Sequence, residues 1–467
     1  MNPSFQKISQ NKYRLQKTSE NQVEAIFYAK KEMLSKVQED RSLGQLSDAA
    51  SLPDVVPPVI GMPDIHEGYG VPIGGVVATN NLISAGAVGM DINCGVRLLF
   101  SNLTFDEEKF NQDKLRDLVY QIEHLVPVGL GGRRKTRKLN LEMREVTERG
   151  IDFLICKGFA NEDDKNHTEE YGCLKGAQYK NLSPHAVHRA KNQLGTLGSG
   201  NHFIEIQKIK QVFAPEIAEK WGLFENQVCV MIHTGSRALG HQTCTEFIKI
   251  FWNVRKKYNI DPPNRELACL PLTAKEAQEY FSAMKACVNF AFCNRQIIGY
   301  FVEKVFEKNF GVDLKLLYDV AHNIAKREEH HGQRLLIHRK GATRALPARH
   351  AQNPDIYKET GHPAIVPGSM GTASYVMVGL PKNAETFHSI NHGSGRIMSR
   401  KQAKKRLTRE EFEKLMGNIV YNKPFHVIAD EAPGAYKDIH EVIDTLAEID
   451  LTRKVVQLVP LAVIKGN

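Results

Sequence analysis

Asp91 and Cys94 are the first residues whose types and spacing could perform chemistry. They lie three residues apart in the sequence GMDINCG at 89–95, directly after a strand-like apolar run. A carboxylate and a thiolate at this spacing can reach one metal ion or share two. The alternatives are a small buried cysteine, which is the usual role of a free thiol, and a nucleophilic cysteine.

Four histidines repeat one setting, next to an apolar run and close to glycine or asparagine. They are His202, His233, His322 and His392. One such histidine means little in a chain that contains 18, but four are harder to attribute to packing alone. A structural role is the alternative for each of them.

The candidate donor set combines oxygen, sulfur and nitrogen ligands: Asp91, Cys94, His202, His233 and His322. Histidine with thiolate would suit zinc, whereas a carboxylate with imidazoles would equally suit manganese or iron. One thiolate among five donors could bridge two ions, and paired ions are the usual device of phosphoryl chemistry. His392, close to Arg396, could then act as a nucleophile towards phosphorus.

Two turns rich in glycine and serine, at 194–200 and 368–374, offer backbone N–H groups and hydroxyls. Such donors suit phosphate oxygens or a nucleotide base. The first turn is not a P-loop, because no Gly-Lys-Ser/Thr sequence follows it. A plain turn is the alternative for both.

The composition narrows the class of protein. The chain has 467 residues, of which 42% are hydrophobic and 25% charged, which excludes a mainly disordered chain, a collagen and a small disulfide-stabilised protein. Its longest apolar stretches, such as 455–464, are too short to span a bilayer, so no membrane association is expected. The N-terminus has no apolar signal region, and the eight cysteines include no CxxC pair. We therefore expect a reducing compartment and a cytoplasmic location.

The net charge of +9 is compatible with a polyanionic partner without requiring one. Basic residues are concentrated at 133–138, 339–349 and 396–406, whereas 54–95 contains neither lysine nor arginine. That cation-free stretch holds Asp64, Glu67 and Asp91, so it suggests a metal site inside an electropositive surround. Solvated helix faces are the alternative for the basic groups.

The elements that must position these residues alternate along the chain. Residues 1–50 are expected to be helical, with one amphipathic helix over 21–37, and glycine-punctuated buried strands are expected over 55–100 and 194–240. Residues 105–165 look helical, and 273–310 predicts one or two long helices whose apolar part packs in the core. Further strands are expected at 315–320, 334–338, 364–379 and 426–429. Because no linker interrupts the motifs, the sequence predicts a single compact α/β unit.

Taken together, seven motifs resemble the RtcB family of RNA-splicing ligases over about residues 60–465. They are GMPDIHEGYG at 61–70, PIGG at 72–75, DINCGVR at 91–97, GSGNHF at 198–203, HTGSR at 233–237, RKGATR at 339–344 and HGSGR at 392–396. No single motif decides the resemblance, but their joint occurrence in this order is highly specific.

The resemblance implies an RNA ligase that depends on GTP and manganese. Such enzymes join a 2′,3′-cyclic phosphate or 3′-phosphate RNA end to a 5′-hydroxyl end, in tRNA splicing or RNA repair. The implied fold is α/β (α+β), with mixed sheets and surrounding helices. It would form one RtcB-like catalytic domain over 1–467, with the helical segment 1–50 packed on it. An accessory protein activator and a monomer or weak dimer are further expectations.

The resemblance also assigns roles. Two Mn²⁺ ions would be held by Asp91, Cys94, His202, His233 and His322, with the thiolate bridging, and His392 would carry a covalent guanylate while Asp64 orients it. The guanine nucleotide would contact Asn201, His202, Phe203, Ile204, Glu205, His322, Asn323, Pro367, Gly368, Ser369, Met370, Ser374, His392, Gly393, Ser394, Gly395, Tyr436 and Lys465. From the charge pattern, Arg396, Arg400 and Lys401 are candidates for the RNA backbone.

Two departures from the family pattern are small. The family commonly has alanine where Ser394 stands, and Pro-Gly-Gly-Val at 85–88. Three other interpretations remain: a two-metal phosphoesterase or nuclease acting on RNA ends, a non-catalytic RNA-binding module, and a cysteine hydrolase that uses Cys94. The phosphoesterase would need the same donors but neither GTP nor the His392 nucleophile.

Overall fold

The computed structural model describes residues 3–129 and 139–466, so the basic group at 133–138 lies outside the described residues. Within that part of the chain the strands, in order, are β1 Phe5–Ser9, β2 Lys12–Leu15, β3 Ala25–Tyr28, β4 Val55–His66, β5 Ile73–Thr79, β6 Leu82–Ser84, β7 Gly95–Thr104, β8 Phe203–Val212, β9 Gln227–Thr234, β10 Cys269–Pro271, β11 Lys315–Ala321, β12 Asn323–His330, β13 Gln333–Lys340, β14 Ala342–Arg344, β15 Ala364–Val366, β16 Ser374–Gly379, β17 Ser389–Asn391, β18 Val420–Tyr421 and β19 Thr452–Lys465.

The α-helices of the described residues surround these strands. They are α1 Leu34–Gln38, α2 Ser42–Ala49, α3 Ala85–Val88, α4 Gln112–Leu125, α5 Met143–Arg149, α6 Ile151–Cys156, α7 Glu162–Asn166, α8 Pro184–Ala190, α9 Pro215–Lys220, α10 Arg237–Val254, α11 Lys275–Phe310, α12 Arg400–Arg406, α13 Arg409–Met416, α14 Phe425–Ile428 and α15 Ile439–Ala447. The predicted fold class, a single unit of mixed sheets with surrounding helices, is confirmed.

One sheet has the strand order β1-β2-β3-β4-β5-β13-β12 and carries Asp64 on β4. Its first three strands correct the prediction that residues 1–50 are helical. The segment 21–37 is not one helix, because the apolar run of β3 is fully buried and pairs in parallel with β4. A run that is buried on both faces suits a central strand better than an amphipathic helix. Of residues 3–50, which the structure describes, only those of α1 and α2 are α-helical.

A second sheet has the order β11-β7-β9-β8-β19-β16-β15, with the short β18 beside β19. All neighbours along that path are antiparallel, whereas β18 pairs with β19 in parallel. Apolar side chains of β4, β5 and β13 pack with those of β15, β16 and α15, so the two sheets meet along this seam.

The sequence predicted one or two long helices over 273–310, and the structure has one, the 36-residue helix α11. It packs in the core against α5, α6 and α10, and its C-terminal part covers one face of the second sheet. The predicted core packing of 288–306 is therefore confirmed, but Asn289, Asn294 and Arg295 are also buried in it.

Of the remaining strand predictions, three are confirmed and one is wrong. The strands at 315–320 and 334–338 are confirmed as parts of β11 and β13, and 364–379 is two strands, β15 and β16, joined by a turn. The strand at 426–429 is wrong, because α14 and a short 3₁₀ turn occupy it. An apolar run this short does not distinguish strand from helix. Among the described residues, no helix combines the length and apolar character needed to cross a bilayer.

Candidate active site

Four of the five predicted metal donors lie at the same end of four neighbouring strands of the second sheet. Cys94 directly precedes β7 and His202 directly precedes β8, whereas His233 is the last residue but one of β9 and His322 directly follows β11. These strands are neighbours in the order β11-β7-β9-β8, and the register places Gly95 opposite both Ala321 and Thr234. Because the strands are antiparallel, donors come from strand beginnings as well as strand ends.

The fifth donor, Asp91, reaches the same place from the loop before β7. Its Oδ2 lies 2.8 Å from His202 Nε2, and Asp91, Cys94 and His202 form a group whose donor atoms lie within 4.8 Å of one another. Cys94 Sγ lies 3.7 Å from His202 Nε2 and 3.2 Å from His233 Nε2. The Cys94 thiol therefore lies between Asp91 and His202 on one side and His233 on the other.

The imidazoles continue as a row towards His392. Ring centroids are 5.7 Å apart for His202 and His233, 5.6 Å for His233 and His322, and 5.3 Å for His322 and His392. His322 Nδ1 lies 2.8 Å from Thr343 Oγ1, which leaves its Nε2 buried without a hydrogen-bond partner among the described residues. The row thus joins the donor group to the predicted nucleophile.

The chemistry of this donor set fits a bound cation. Burial and the neighbouring Asp91 raise the pKa of the Cys94 thiol, because two anions side by side in a buried site repel each other. Burial lowers the pKa of His233 and of His322, so both imidazoles are neutral and can act as ligands at neutral pH. A metal ion would bind the thiolate and offset that repulsion.

His392 is held by Asp64 from the other sheet. Asp64 Oδ2 lies 2.6 Å from His392 Nδ1 and accepts hydrogen bonds from the backbone N–H groups of His392, at 3.0 Å, and Gly393, at 3.2 Å. Asp64 is fully buried. Gly395 has a φ of +73°, and a Cβ there would overlap Asp64 O, so this turn requires glycine. A carboxylate at this distance favours the His392 tautomer that carries its proton on Nδ1, and in that tautomer the lone pair of the neutral ring is on Nε2.

The site opens into a cavity of about 860 Å³. Most of the predicted nucleotide-binding residues line it: Asn201, Phe203, His322, Asn323, Pro367, Gly368, Ser369, Met370, His392, Gly393, Ser394, Gly395, Tyr436 and Lys465. His202, Ile204, Glu205 and Ser374 do not line it. Ser374 Oγ accepts from the backbone N–H of Gly368 at 3.1 Å, so this residue supports the cavity wall.

Asn323 uses its side chain within the protein. Its amide nitrogen donates to Asp91 O at 3.0 Å, and its amide oxygen accepts from Gly341 N at 2.8 Å. The side chain therefore links the Asp91 loop to the RKGATR motif. Its carbonyl oxygen also bonds within the protein, because it accepts from Asn93 N at 2.7 Å.

Glu205 lies behind the wall, two residues along β8 from Phe203. Its Oε2 accepts from Gln207 Nε2 at 2.7 Å, while its buried Oε1 has no hydrogen-bond partner among the described residues. Burial raises the pKa of Glu205 to about 8. An unpaired carboxyl oxygen in a buried site is a candidate contact for a polar ligand edge.

The three predicted RNA-contacting residues have different surroundings. Arg396 donates to Met398 O at 3.0 Å, to Tyr436 Oη at 3.0 Å and to Asp430 O at 2.6 Å, so its guanidinium is directed into the protein. Arg400 is half exposed and lines the cavity mouth, and Lys401 is exposed on α12.

The basic group at 339–349 is mostly unavailable to a partner, contrary to its sequence pattern. Arg339 is fully buried and forms hydrogen bonds to both carboxylate oxygens of Glu328, at 2.6 and 2.8 Å. Arg344 is buried beside Glu169 and Glu170. These arginines are internal counter-charges rather than an RNA-binding surface.

Two buried lysines beside the site were missed by the sequence reasoning. Lys437 Nζ donates to Pro63 O, at 3.1 Å, and to Ile65 O, on either side of Asp64, and burial lowers its pKa to about 8. Lys340 Nζ donates to Tyr69 O, and burial lowers its pKa to about 8 as well. The only available signal was position, since Lys340 lies in the RKGATR motif and Lys437 follows Tyr436.

Known proteins are similar to this chain over most or all of its length. The sequence model of a family described as "tRNA-splicing ligase RtcB" matches residues 45–466. The chain is 45% identical to the tRNA-splicing ligase RtcB of Nanoarchaeum equitans, with 100% of both chains covered, and 43% identical to that of Thermococcus kodakarensis, with 94% of each covered. It is also 41% identical to the RNA-splicing ligase RtcB of Mycobacterium tuberculosis, with 90% of this chain and 100% of the relative covered.

Proposed function

This chain belongs to the RtcB family and is an RNA ligase, and we propose that it joins 2′,3′-cyclic phosphate or 3′-phosphate RNA ends to 5′-hydroxyl ends with GTP and Mn²⁺. The proposed setting is tRNA splicing or RNA repair. The observation that carries the proposal is the Asp64–His392 pair, which stands at the end of the imidazole row and faces a nucleotide-sized cavity.

His392 Nε2 is the proposed nucleophile. Asp64 accepts a hydrogen bond from Nδ1–H and so leaves the Nε2 lone pair free to attack the α-phosphorus of GTP. A P–N bond forms, the bond between the α-phosphorus and its bridging oxygen breaks, and pyrophosphate leaves. The product is a guanylate on His392.

The RNA ends then react in turn. A cyclic end is first opened by water to a 3′-phosphate. An oxygen of that phosphate attacks the guanylate and releases His392, which gives an RNA with a 3′-to-5′ pyrophosphate-linked guanosine. The 5′-hydroxyl oxygen attacks the RNA phosphorus, and GMP leaves as the new phosphodiester forms. Asp64 keeps His392 in the same tautomer throughout.

Two Mn²⁺ ions are proposed at the donor group. The residues that would hold them are Asp91, Cys94, His202, His233 and His322. Bound metal supplies positive charge that offsets phosphate repulsion. The donor set would also accept zinc, so the choice of manganese depends on the family.

A guanine base is proposed beside Glu205. Its buried Oε1 lacks a partner among the described residues, and a carboxylate can accept two hydrogen bonds from the N1–H and amino group of guanine, which adenine does not offer together. Lys465 lies close enough to lower the pKa of Glu205 and lines the cavity. Both observations support a purine site that prefers guanine.

The RNA strand is proposed to lie across α12. Lys401, Lys405 and Arg406 are exposed there, and Arg400 reaches the cavity mouth. Arg396, which bonds to Tyr436 and Asp430, is proposed to shape the mouth that the strand passes. Exposed cations attract a phosphate backbone without reading its sequence.

Two rival activities have less support. A two-metal phosphoesterase would use the same donors but would have no use for the Asp64–His392 pair. A cysteine hydrolase needs an activated thiol, whereas burial raises the pKa of Cys94. A cytoplasmic location, an accessory activator and a monomer or weak dimer stay predictions.

Covalent labelling tests the proposal. The protein is incubated with α-labelled GTP and Mn²⁺ and then denatured, and the label on the chain is counted. We expect acid-labile label in the wild type and in His185→Ala, an exposed-histidine control, but none in His392→Ala. Label that survives His392→Ala, or no label on folded, Mn²⁺-loaded wild type, would replace the ligase mechanism with the phosphoesterase.

A further inference from the structure

Helix α11 carries two adjacent, fully buried polar residues at the point where it passes behind the site. Asn294 and Arg295 have no exposed surface, and the three residues before them, Ala291, Phe292 and Cys293, are apolar and fully buried. A buried polar side chain costs free energy unless its hydrogen bonds are satisfied. The hydrogen-bond partners of Asn294 and Arg295 therefore indicate the role of these two side chains.

Arg295 bonds to backbone next to two metal donors. Its Nη1 donates to Asn93 O at 2.8 Å and to Thr234 O at 2.9 Å, which adjoin Cys94 and His233. Its Nε donates at 2.9 Å to Asp319, which lies three residues before His322 on β11. One guanidinium thus links the segments that carry three donors.

Asn294 makes the matching links to the loop before His202. Its Oδ1 accepts from Gly195 N at 2.7 Å and from Thr196 N at 3.1 Å, and its Nδ2 donates to Thr196 O and Gly235 O, both at 3.2 Å. The next carbonyl, Leu197 O, lies 3.1 Å from His202 Nδ1. The amide therefore fixes the loop that orients His202 relative to the loop that follows His233.

We propose that Asn294 and Arg295 are positioning residues for the metal site: they hold the backbone beside Cys94, His202, His233 and His322 in one arrangement. The inference rests on the proposed function, because it assigns these residues to the proposed Mn²⁺ ligands. Neither residue touches the cavity; both act through the ligand-bearing loops.

The same helix offers a matched control. Asn289 is also an asparagine of α11 with no exposed surface, and its side chain donates to Thr147 O at 2.9 Å and accepts from Leu174 N at 2.7 Å. Those segments carry no proposed donor. Loss of Asn289 removes a comparable set of buried hydrogen bonds without releasing a ligand loop.

The experiment compares Asn294→Ala with Asn289→Ala. Mn²⁺ affinity is measured by calorimetry without nucleotide, the Co²⁺-substituted protein is examined for its thiolate-to-metal absorption band, and Tm is recorded. We expect both variants to lower Tm similarly. Only Asn294→Ala should weaken Mn²⁺ binding, by roughly ten-fold or more, which is the usual loss when a residue that orients ligands is removed. It should also weaken the Co²⁺ band.

A second variant guards against misfolding. Arg295→Lys keeps the positive charge beside Asp319, but an ammonium cannot reproduce the planar fork that reaches Asn93 and Thr234 together. We expect it, too, to weaken Mn²⁺ binding. If either alanine variant does not fold, Asn294→Ser and Asn289→Ser make the same comparison with one hydroxyl retained.

Three results would overturn the proposal. Wild-type Mn²⁺ affinity in Asn294→Ala and Arg295→Lys would reduce both residues to core packing. An equal loss of affinity in the Asn289 variant would mean a general effect of stability. A wild type that binds no Mn²⁺ would remove the proposed metal function itself, and that failure is recognised because it occurs before any variant is made.

Discussion

At the enclosed end of the cavity the functional side chains are buried and bonded to other elements, whereas at its rim the cations of α12 stand in solvent. Asp64 accepts two hydrogen bonds from His392 and one from Gly393, while Lys401 and Arg406 are exposed. The enclosed end can therefore hold reacting atoms in a fixed geometry, whereas the cations of the rim can only attract the RNA backbone. The difference predicts that substitutions will act on rate at one end and on salt-dependent binding at the other.

The largest effect is expected for Asp64→Asn. All three hydrogen bonds from His392 and Gly393 end on Asp64 Oδ2, and an amide oxygen could still accept them, but an amide has no negative charge to stabilise the cationic ring that forms when His392 Nε2 bonds to phosphorus. By analogy with other oriented histidines, we expect guanylate formation to slow by about 10³- to 10⁴-fold. Single-turnover labelling measures it, with the surface variant Asp113→Asn as control. A rate within a few-fold of wild type would mean that the two ends of the cavity do not differ in this way.

A pH-dependent effect is expected for Glu205→Gln. The pKa of Glu205 is raised to about 8, so the free carboxyl is protonated below that pH, and binding guanine as a carboxylate must release the proton. GTP affinity should therefore rise with pH, by up to about ten-fold per unit, and level off above about 8. The glutamine variant should bind more weakly with no such rise. Titration with a fluorescent guanine nucleotide from pH 6 to 9 measures both slopes, and parallel slopes would exclude Glu205.

The raised pKa of Glu205 also predicts how the free energy of unfolding changes with pH. Because its folded pKa lies above the value of an unfolded glutamate, the contribution of Glu205 is present at acid pH and lost as pH rises towards about 8. Wild type should therefore lose free energy of unfolding over this range relative to Glu205→Gln. Urea unfolding at pH 5 and pH 8 provides the measurement, and an equal change in both proteins would contradict it.

The smallest effect is expected at the rim. Replacing Lys401, Lys405 and Arg406 by alanine should weaken RNA binding by roughly ten-fold at low salt and reduce the salt slope by about 0.7 for each phosphate that is no longer neutralised. Guanylate formation should be unchanged, because it involves no RNA. Alanines at Lys7, Lys17 and Lys308, which are also exposed, serve as the control. An equal loss of RNA affinity in both triple variants would show general attraction rather than a defined rim.

The site was more predictable from the sequence than its supports were. The motifs predicted Asp91, Cys94 and the histidines, because each of these residues stands beside an apolar run and close to glycine or asparagine, and this pattern is visible in the local sequence. Arg339 and Arg400 look alike in sequence, but one is paired with Glu328 inside the protein and the other reaches the cavity mouth. That difference depends on partners brought together by the fold, which no local pattern contains.

The supports of α11 illustrate the same limit. Asn294 and Arg295 stand in an apolar helical run, and periodicity assigns such a run to the core. Their hydrogen bonds reach Thr196 and Thr234, which are distant in sequence. The N-terminal strands were missed for a related reason, since β3 pairs with β4, which lies about 30 residues later in the sequence, as well as with β2.

The position of β19 also bears on the order in which the molecule is made. This strand, Thr452–Lys465, comes last in the chain but lies between β8 and β16 in the interior of its sheet. During synthesis β11, β7, β9 and β8 emerge before it, and they present an unpaired edge on β8 until residue 465 has left the ribosome. A nascent chain therefore carries every ligand-bearing strand while its sheet is still open at β8.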